Sequence, residues 1–327
     1  MNKKNNVFID ERWLGNHGIG IVTKNLINGL NAKPLNINCD KFSVINPFLF
    51  SLKLFKLPPK AIIINTGFNN PFLFPRKYFF YIHDLIHINY YSSFFYKIYY
   101  KIYISFCIKF STKVFTVSDF SKKQILNFFK LSENKVINVS NGVDESFFSK
   151  SKFKSFFNFK YLLCVANRKK HKNEEIIIKS FFKLKKTHKL KLVLIGKPSR
   201  EQSKFIKDNN LLNDIIYLDD LTTNSMISLY RNAEAFITAS FIEGFNLPLL
   251  EAMASKISIY ASNIEVHRDI TKGNVIYFNP DDVNSLHVQL LKNIHKKNST
   301  QINNAYLIAK TYSWADVINR INLEINE

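Results

Sequence analysis

Short apolar runs rich in β-branched and aromatic residues alternate with stretches of helical period along almost the whole chain. In the first half, strands are predicted in NVFID, AIIINTG, KYFFYIHD, KVFTVS and KVINVS. The segment GIGIVTKNLINGL has apolar side chains at helical spacing from Val22 to Leu30, and a long aromatic helix is predicted over residues 93–110. Ser121 and Gln124 in SKKQ predict a capping box at the start of a further helix.

The pattern lapses over residues 145–160, which we interpret as a linker, and then restarts. The second half predicts strands in YLLCVAN, LKLVLIG, IIYLDD, AFITAS, ISIYAS and VIYFNP, with helices between them, NEEIIIKSFFKLKKTH being the longest. Strands that alternate with helices favour parallel sheets covered on both faces. We therefore predict an α/β protein of two Rossmann-like domains, residues 1–150 and 151–312, facing a central cleft. Ligands of such sheets bind outside the carboxyl ends of the strands.

Composition supports a globular protein with an anionic partner. The 327 residues are 46% hydrophobic and 22% charged, enough for two domains. Lys and Arg number 46 against 25 Asp and Glu, a formal net charge of +21. Membranes, nucleic acids and phosphorylated substrates are all suitable partners. Because the basic residues are spread over both halves and no nucleic-acid-binding motif accompanies them, we expect no nucleic acid partner.

Three features predict a cytoplasmic protein. The three cysteines are widely spaced and form no CxxC or metal-ligand pattern, which favours free thiols in a reducing compartment. The N-terminal stretch has no signal-peptide apolar core. No run of about 18 uncharged apolar residues occurs that could span a membrane.

The segment EGFNLPLLEAMASK joins the predicted strand AFITAS to a predicted helix. Glu243 then lies on the loop at the carboxyl edge of the sheet, where Gly244 permits close approach of a ligand to the backbone. Pro248 suits a first helical turn, and the free amides there favour an anion. Glu251 lies about one turn into the helix, where its carboxylate can accept two hydrogen bonds from a ribose or sugar. The alternative is a capping Glu243 and a solvated Glu251.

The loop ANRKKHKN follows the predicted strand YLLCVAN and precedes a helix. Lys172 is expected at the helix start, where a cation is unfavourable because the amide end of a helix is already positive. A diphosphate bound between the ammonium and the amides would explain this position. Arg168 is a second candidate cation. For both, the alternative is a solvated basic loop.

The first half offers two further candidate positions. His83 closes the strand KYFFYI, where an imidazole can hydrogen-bond a sugar hydroxyl or a leaving phosphate, while Asp84 anchors the loop. Gly18 and Gly20 open the helix after the first strand. Their segment, GNHGIG, is not the dinucleotide-binding fingerprint, so spacing alone assigns them no role.

These segments together resemble the retaining GT-B glycosyltransferases of family four. In that family an acid, seven residues and a second acid surround a turn like that of EGFNLPLLE. Six further segments resemble its motifs in order, so that the resemblance covers nearly the whole chain: GNHGIG, FFYIHDL, VFTVSDFSKKQI, SNGVDESFF, CVANRKKHKN and YSWADVINRI. The chain departs from the pattern at Ala166, where glycine is usual, and at His171 and Ile21, where arginine is frequent.

The resemblance implies transfer of a hexose from a nucleoside diphosphate sugar, without metal or other cofactor. GDP-mannose is favoured, with UDP- or dTDP-sugars possible, and the acceptor is lipid-linked or an oligosaccharide of surface polysaccharide (O-antigen or capsule) assembly. The N-terminal domain takes the acceptor, the C-terminal domain takes the nucleotide, and a closing helix over residues 313–327 packs back on the N-terminal domain. The implied catalytic residues are Glu243, His83 and Lys172. The implied donor-binding residues are Glu251, Gly244, Phe245, Asn246, Leu247, His171, Arg168, Gly18 and Gly20.

The aromatic helix SFFYKIYYKIYISFCIKFSTK places Lys97, Lys101, Lys109 and Lys113 within one half of the helical wheel, with aromatic and aliphatic residues over much of the rest. This pattern is typical of a helix in a membrane interface, and equally of a buried helix whose lysines extend to water. Because many relatives use lipid-linked acceptors, we expect an anionic membrane surface as partner and a peripheral location on the inner face of the cytoplasmic membrane.

Three rival functions stay open. A nucleotide-sugar epimerase or phosphorylase of the same fold would act on the donor without an acceptor sugar. A nonenzymatic membrane- or nucleic-acid-binding protein would use only the positive charge. A glycosidase would use paired carboxylates but would not need Lys172.

Overall fold

The computed structural model describes residues 6–92, 94–149 and 153–327. The chain divides into two compact units. The first comprises the residues up to Gly142 together with Ser313–Glu327, and the second is Val143–Tyr312. The boundary expected from the sequence, between residues 150 and 151, lies outside the described residues, as do Ser93 and part of the expected linker.

The first unit is built on a parallel sheet of the strand order β2-β1-β3-β4-β5-β6. Its strands are β1 (Val7–Ile9), β2 (Lys33–Pro34), β3 (Ile62–Asn65), β4 (Lys77–Tyr81), β5 (Lys113–Thr116) and β6 (Val136–Asn138). Its helices are α1 (Gly18–Leu30), α2 (Asn46–Phe55), α3 (Ile86–Asn89), α4 (Phe94–Tyr99), α5 (Ser105–Phe110), α6 (Asp119–Phe129) and α14 (Trp314–Asn326). A π-helical turn, Tyr100–Ile104, joins α4 to α5. The sequence pattern did not predict β2 or α2.

Two expectations about this unit were wrong. Lys113 does not belong to the aromatic helix: it begins β5, and its ammonium forms ion pairs with Glu324 and Glu327 of α14. The helix after β5 is capped by Ser118 rather than Ser121, because the Ser118 hydroxyl accepts the Ser121 N–H at 3.0 Å. Both errors have one cause, since a short polar stretch between a helix and a strand has no periodicity that sets its boundaries.

The second unit repeats the architecture with the strand order β12-β11-β10-β7-β8-β9, again parallel. Its strands are β7 (Tyr161–Val165), β8 (Lys191–Ile195), β9 (Ile215–Leu218), β10 (Ala235–Thr238), β11 (Ser258–Ser262) and β12 (Ile276–Phe278). Its helices are α7 (Glu174–Leu184), α8 (Arg200–Asp208), α9 (Thr223–Asn232), α10 (Leu247–Ala254), α11 (Glu265–Thr271), α12 (Val283–Asn293) and α13 (Ser299–Ala309). Its central strand β10 is buried along its whole length, as expected of a parallel sheet covered on both faces.

The fold is the two-domain α/β arrangement that the sequence predicted. Each unit has its own buried core, in which Tyr78 and Phe80 lie in the first and Phe181 and Tyr260 in the second. Within the described residues, no helix is both long enough and apolar enough to cross a membrane.

Candidate active site

The turn between β10 and α10 is shaped by Asn246. Its backbone lies in the left-handed region, with φ +89°, which asparagine tolerates better than most residues. Its side-chain oxygen accepts the Leu249 N–H at 3.4 Å and so caps α10, while Pro248 in the first turn sacrifices no hydrogen bond. The asparagine and the proline of EGFNLP therefore set the direction in which α10 leaves the sheet.

A buried histidine holds Asn246 in place. The Asn246 amide donates to Thr238 Oγ1 at 3.0 Å and to His267 Nε2 at 2.9 Å. His267 Nδ1 lies 3.0 Å from the Ser262 carbonyl oxygen and donates to it. Burial lowers the pKa of His267 to about 4, so the ring is neutral at physiological pH and its Nε2 can accept. Sequence reasoning missed His267, because one histidine in the first turn of a short helix carries no signal by itself.

Glu243 lies buried on the loop that follows β10. Its Oε1 accepts hydrogen bonds from Lys172 Nζ at 2.6 Å and from Ser240 Oγ at 2.5 Å. Burial raises the pKa of this carboxyl, but the Lys172 charge and the two hydrogen bonds outweigh burial and leave the pKa below its usual value. Glu243 is therefore a carboxylate at neutral pH, held in one orientation. Ser240 is a second residue that the sequence did not single out.

Lys172 ends a 3₁₀ turn, Lys170–Lys172, that links β7 to α7. Lys172 directly precedes Asn173, the N-cap of α7, and so lies at the start of this helix, where the sequence predicted it. The side chain is 18% exposed, so solvent reaches it while Glu243 holds it. The neighbouring His171 is buried, and its carbonyl oxygen accepts the Phe241 N–H at 2.8 Å. This bond joins the loop after β7 to the loop after β10.

Arg168 occupies a different environment in the same loop. Its guanidinium forms an ion pair with the buried Glu174 and donates to the carbonyl oxygens of Ile195 and Lys197. Its backbone N–H donates to Glu174 Oε1 at 3.0 Å. The central carbon of its guanidinium lies 5.1 Å from the centroid of the Tyr217 ring. The guanidinium thus joins the start of α7 to the end of β8. The role of Arg168 as a donor-binding cation stays a prediction, in competition with these partners.

Glu251 lies half-buried on α10, one turn past the cap. Its Oε2 accepts a hydrogen bond from Tyr230 Oη at 2.8 Å. The pKa of Glu251 is raised to about 7. Burial and the charge of Asp144 raise the pKa, and the hydrogen bond from Tyr230 opposes them only in part. At neutral pH the carboxyl is therefore divided between its protonated and ionised forms.

The other donor-binding candidates line the turn itself. Gly244 and Phe245 are buried, and the Phe245 ring packs edge-on against Tyr312 with centroids 5.7 Å apart. Leu247 begins α10, in which Pro248 has no N–H and the N–H groups of Leu249 and Leu250 bond to Asn246. In residues 6–92, 94–149 and 153–327, no three His, Cys, Asp or Glu side chains are grouped as the ligands of a metal ion would be.

The first unit contains a separate polar cluster at the end of β4. His83 is partly exposed, and its Nε2 lies 2.8 Å from the Thr66 carbonyl oxygen, to which it donates as the neutral ring. Burial lowers the pKa of His83, which favours this neutral form. The ring stacks on Tyr81 with centroids 5.2 Å apart. Asp84 accepts the Ile86 N–H at 3.0 Å and so anchors the following helix, as predicted.

Gly18 and Gly20 form the first turn of α1, as the sequence predicted, but their surroundings differ. A Cβ at Gly20 would lie 2.1 Å from the Gly15 carbonyl oxygen, so Gly20 is required by the close approach of its own loop. A Cβ on Gly18 would meet no atom within 4 Å. The imidazole of His17 caps the helix by accepting the Gly20 N–H at 3.0 Å. The close packing of the loop thus explains why position 20 is glycine, whereas open space lies beside Gly18.

Two mannosyltransferases and a solved structure are similar to this chain. The chain is 28% identical over 284 residues to the O-antigen chain mannosyltransferase RfbU of Salmonella typhimurium, covering 85% of this chain and 77% of that protein. It is 23% identical over 217 residues to O-antigen chain mannosyltransferase B of Escherichia coli, covering 62% of this chain and 57% of that one. The crystal structure of Anabaena HepE in complex with UDP and glucose superposes with a TM-score of 0.76 at 13% identity, covering 98% of both chains.

The family model and the two sequence relatives agree on one class of enzyme. HepE, at so low an identity, supports the fold alone, which is GT-B. The family described as glycosyl transferases group 1 matches residues 147–312, the whole second unit apart from its first few residues. The chain belongs to the group 1 glycosyl transferases.

Proposed function

We propose that the chain is a retaining, metal-independent hexosyltransferase that uses a nucleoside diphosphate sugar. The observation that carries the proposal is the contact between Lys172 Nζ and Glu243 Oε1, 2.6 Å apart at the carboxyl end of β10. It brings a cation and an ionised carboxylate together on the loop that leads into α10. Such a pair supplies both charges that the cleavage of a sugar–phosphate bond requires.

On the leaving-group side, the bond between the anomeric carbon and the diphosphate oxygen breaks, and the oxygen keeps the electron pair. The Lys172 ammonium and the backbone amides around Phe245 to Leu247, in the turn before the capped residues of α10, would stabilise this developing negative charge. Preorganised donors in a partly dehydrated site stabilise such a charge more effectively than water does. These groups would perform the task that a divalent ion performs in metal-using transferases.

On the sugar side, the anomeric carbon becomes cationic. Glu243 is ionised and immobilised by Lys172 and Ser240, so its negative charge is available at no cost of reorientation. Glu243 would act either as a nucleophile or as an electrostatic stabiliser. Incubation of a Glu243→Ala variant with donor and azide separates the two roles, because a sugar azide of inverted configuration forms only if the carboxylate normally occupies the attacking position.

The donor would be held by Glu251 through the ribose hydroxyls, with Phe245, Asn246 and Leu247 forming the turn beneath the diphosphate. Mannose from GDP-mannose is the favoured sugar, because two relatives are named O-antigen chain mannosyltransferases. Their names also support an acceptor that belongs to O-antigen assembly, either lipid-linked or an oligosaccharide. The first unit would bind this acceptor at the inner face of the cytoplasmic membrane, and its His83 and Gly18 would keep the catalytic and donor-binding roles that the resemblance implies.

The first test is thermal unfolding of the full chain with GDP, UDP, dTDP, ADP or buffer. A ligand at 100-fold over its Kd stabilises the folded state by about 2.7 kcal/mol. We expect GDP to raise the Tm of the wild type and of Lys170→Ala, an exposed lysine in the same turn, but not of Lys172→Ala or Glu251→Ala. An equal shift in all four proteins would contradict the assigned pocket.

The second test is the reaction itself. With GDP-mannose and lipid-linked glycan acceptor, we expect an α-linked mannose product, because the donor is α and the reaction retains configuration, and full activity in the presence of EDTA. Release of mannose or conversion of the donor at the same rate without acceptor would support an epimerase or phosphorylase instead. Dependence on a divalent ion would overturn the metal-independent mechanism.

A further inference from the structure

The first unit carries an unusual amount of apolar surface. Most of the exposed large hydrophobic side chains of the described chain lie between residues 42 and 110. On α2, Phe48, Leu52 and Phe55 are exposed at helical spacing. Along the run from α4 to α5, exposed side chains recur every three or four residues, at Phe95 (82% exposed), Ile98, Ile102 (69%), Phe106 and Phe110. Exposed apolar patches of this kind mark interaction sites.

A short turn joins the two helical regions into one surface. Ser51 Oγ on α2 accepts the N–H groups of Phe72 and Leu73 at 2.9 and 3.0 Å. Phe72, itself exposed, packs against Tyr103 with ring centroids 5.6 Å apart, and Phe74 packs against Phe106 at 6.2 Å. We call this surface the apolar face, defined by Phe48, Leu52, Phe72, Leu73, Phe95, Ile102 and Phe106.

The charge around the apolar face has one sign. Between Asp40 and Asp119 the sequence contains one acid, Asp84, whose carboxylate is engaged with the Ile86 N–H. The same stretch contains ten basic residues: Lys41, Lys53, Lys56, Lys60, Arg76, Lys77, Lys97, Lys101, Lys109 and Lys113. Five of them lie on α2, at its C-cap or between Phe94 and Phe110, and among the described residues these five form no ion pair: Lys53, Lys56, Lys97, Lys101 and Lys109.

We propose that the apolar face binds the surface of an anionic phospholipid bilayer, its aromatic and aliphatic side chains inserting at the headgroup boundary while the flanking lysines contact the headgroups. Aromatic residues at the interface and lysines beside them are the two contributions such binding uses. A second copy of the chain is a poorer partner, because pairing two apolar faces would bring their lysines together. The site extends beyond the aromatic helix to α2 and to Phe72 and Leu73.

Binding is tested by sedimentation of the full chain with vesicles of phosphatidylcholine, with or without phosphatidylglycerol. We expect binding only to the anionic vesicles, and less of it at high salt. Phe95→Ser with Ile102→Ser should weaken binding by at least about tenfold, since each exchanged side chain loses its apolar burial. The control is Leu212→Ser with Leu323→Ser, which alters side chains of similar exposure, 68% and 70%, outside the apolar face.

The charge contribution has its own pair of variants. Lys97→Gln with Lys101→Gln should weaken binding by about fivefold per lysine, whereas Lys204→Gln with Lys207→Gln on α8 should leave it unchanged. Equal binding of all variants, or no binding of the wild type to anionic vesicles, would overturn the proposal. So would a dimer in light scattering that Phe95→Ser with Ile102→Ser dissociates.

This inference does not depend on the proposed reaction. The variants of the apolar face should keep the GDP-induced rise in Tm, because none of them lies in the second unit near Lys172 or Glu251. Loss of vesicle binding with an intact GDP shift is the expected result. Vesicle binding without any GDP shift would contradict the proposed donor while supporting the membrane surface.

Discussion

Two ion pairs in the second unit begin from the same loop and differ in what surrounds them. Arg168 pairs with Glu174, and its guanidinium also reaches the carbonyl oxygens of Ile195 and Lys197. Lys172 pairs with Glu243, at the carboxyl end of the sheet beside the first turn of α10. The first pair joins α7 to β8, whereas the second joins two loops where a ligand of a parallel sheet binds.

The two ion pairs show how basic residues of one loop can differ in role, one in the folded structure and one in the proposed reaction. An arginine can satisfy several acceptors at fixed angles, and here three different groups use it at once. A lysine is a compact charge on a flexible stem, which can leave one partner for another. Of the two basic residues in this loop, Arg168 is expected to contribute to stability and Lys172 to the proposed catalysis. Replacing Arg168 should therefore lower the free energy of unfolding, and replacing Lys172 should lower the activity.

The largest effect on stability should follow Arg168→Ala. Glu174 is only 3% exposed and would remain as a buried charge without its partner, which costs about 3–5 kcal/mol of unfolding free energy. Denaturant unfolding measures this loss, with Arg200→Ala on the exposed start of α8 as control. Adding Glu174→Gln to Arg168→Ala should restore part of the stability, because the buried charge is then removed. A stable Arg168→Ala protein that has lost GDP binding would instead assign Arg168 to the donor.

Lys172→Ala should affect activity most. Removal of one preorganised donor to a developing negative charge lowers kcat by about 10²–10³-fold. The acidic limb of the pH–rate profile should also move to higher pH, because burial then raises the pKa of Glu243 with no ammonium to oppose it. Steady-state kinetics over a pH range measure both effects, with Lys170→Ala as control. Wild-type kinetics in Lys172→Ala would show that Lys172 and Glu243 stabilise the fold, as Arg168 and Glu174 do, and take no part in the reaction.

Asn246→Ala tests whether the turn under the proposed site is held by its cap. Loss of a capping side chain costs about 0.5–2 kcal/mol, and alanine tolerates the left-handed backbone less well than asparagine. We expect a lower unfolding free energy and weaker GDP binding. His267→Ala should do the same to a smaller extent, and His267→Gln should recover part of the loss, because glutamine also offers an acceptor. Unchanged GDP binding in both alanine variants would show that the pocket does not depend on this cap.

The smallest effect should be a pH dependence from Glu251. Its folded-state pKa, about 7, lies above its usual value of 4.5, so its contribution to stability is complete below about pH 4.5 and is lost as pH rises through 7. Ribose hydroxyls that donate to the carboxylate favour its ionised form, so GDP affinity should rise over the same range and binding should release protons. Calorimetry in buffers of different ionisation enthalpy measures the release. Glu251→Gln should abolish the proton release, and Glu265→Gln, which alters an exposed side chain on α11, should not.

The sequence predicted well where a periodic pattern was long. The helix predicted from GIGIVTKNLINGL is α1 at its observed bounds, and each strand predicted in the two halves is present. It failed where the pattern was short or broken, as at Lys113 and Ser118, and it did not predict α2, although α2 carries part of the apolar face. These helices and loops gain their structure from packing against the sheet rather than from local propensity.

By itself, the sequence determined the alternation of strands and helices, the family, and the positions of Glu243 and Lys172 in loops that follow strands and of Glu251 one turn into a helix. These depend on residue type and on spacing within one segment. Only the tertiary structure decided the partnerships. Lys172 and Glu243 lie 71 positions apart, and Asn246 and His267 lie 21 apart. The energy of a charge or a polar group depends on its burial and on its neighbours in space, and the fold alone supplies both.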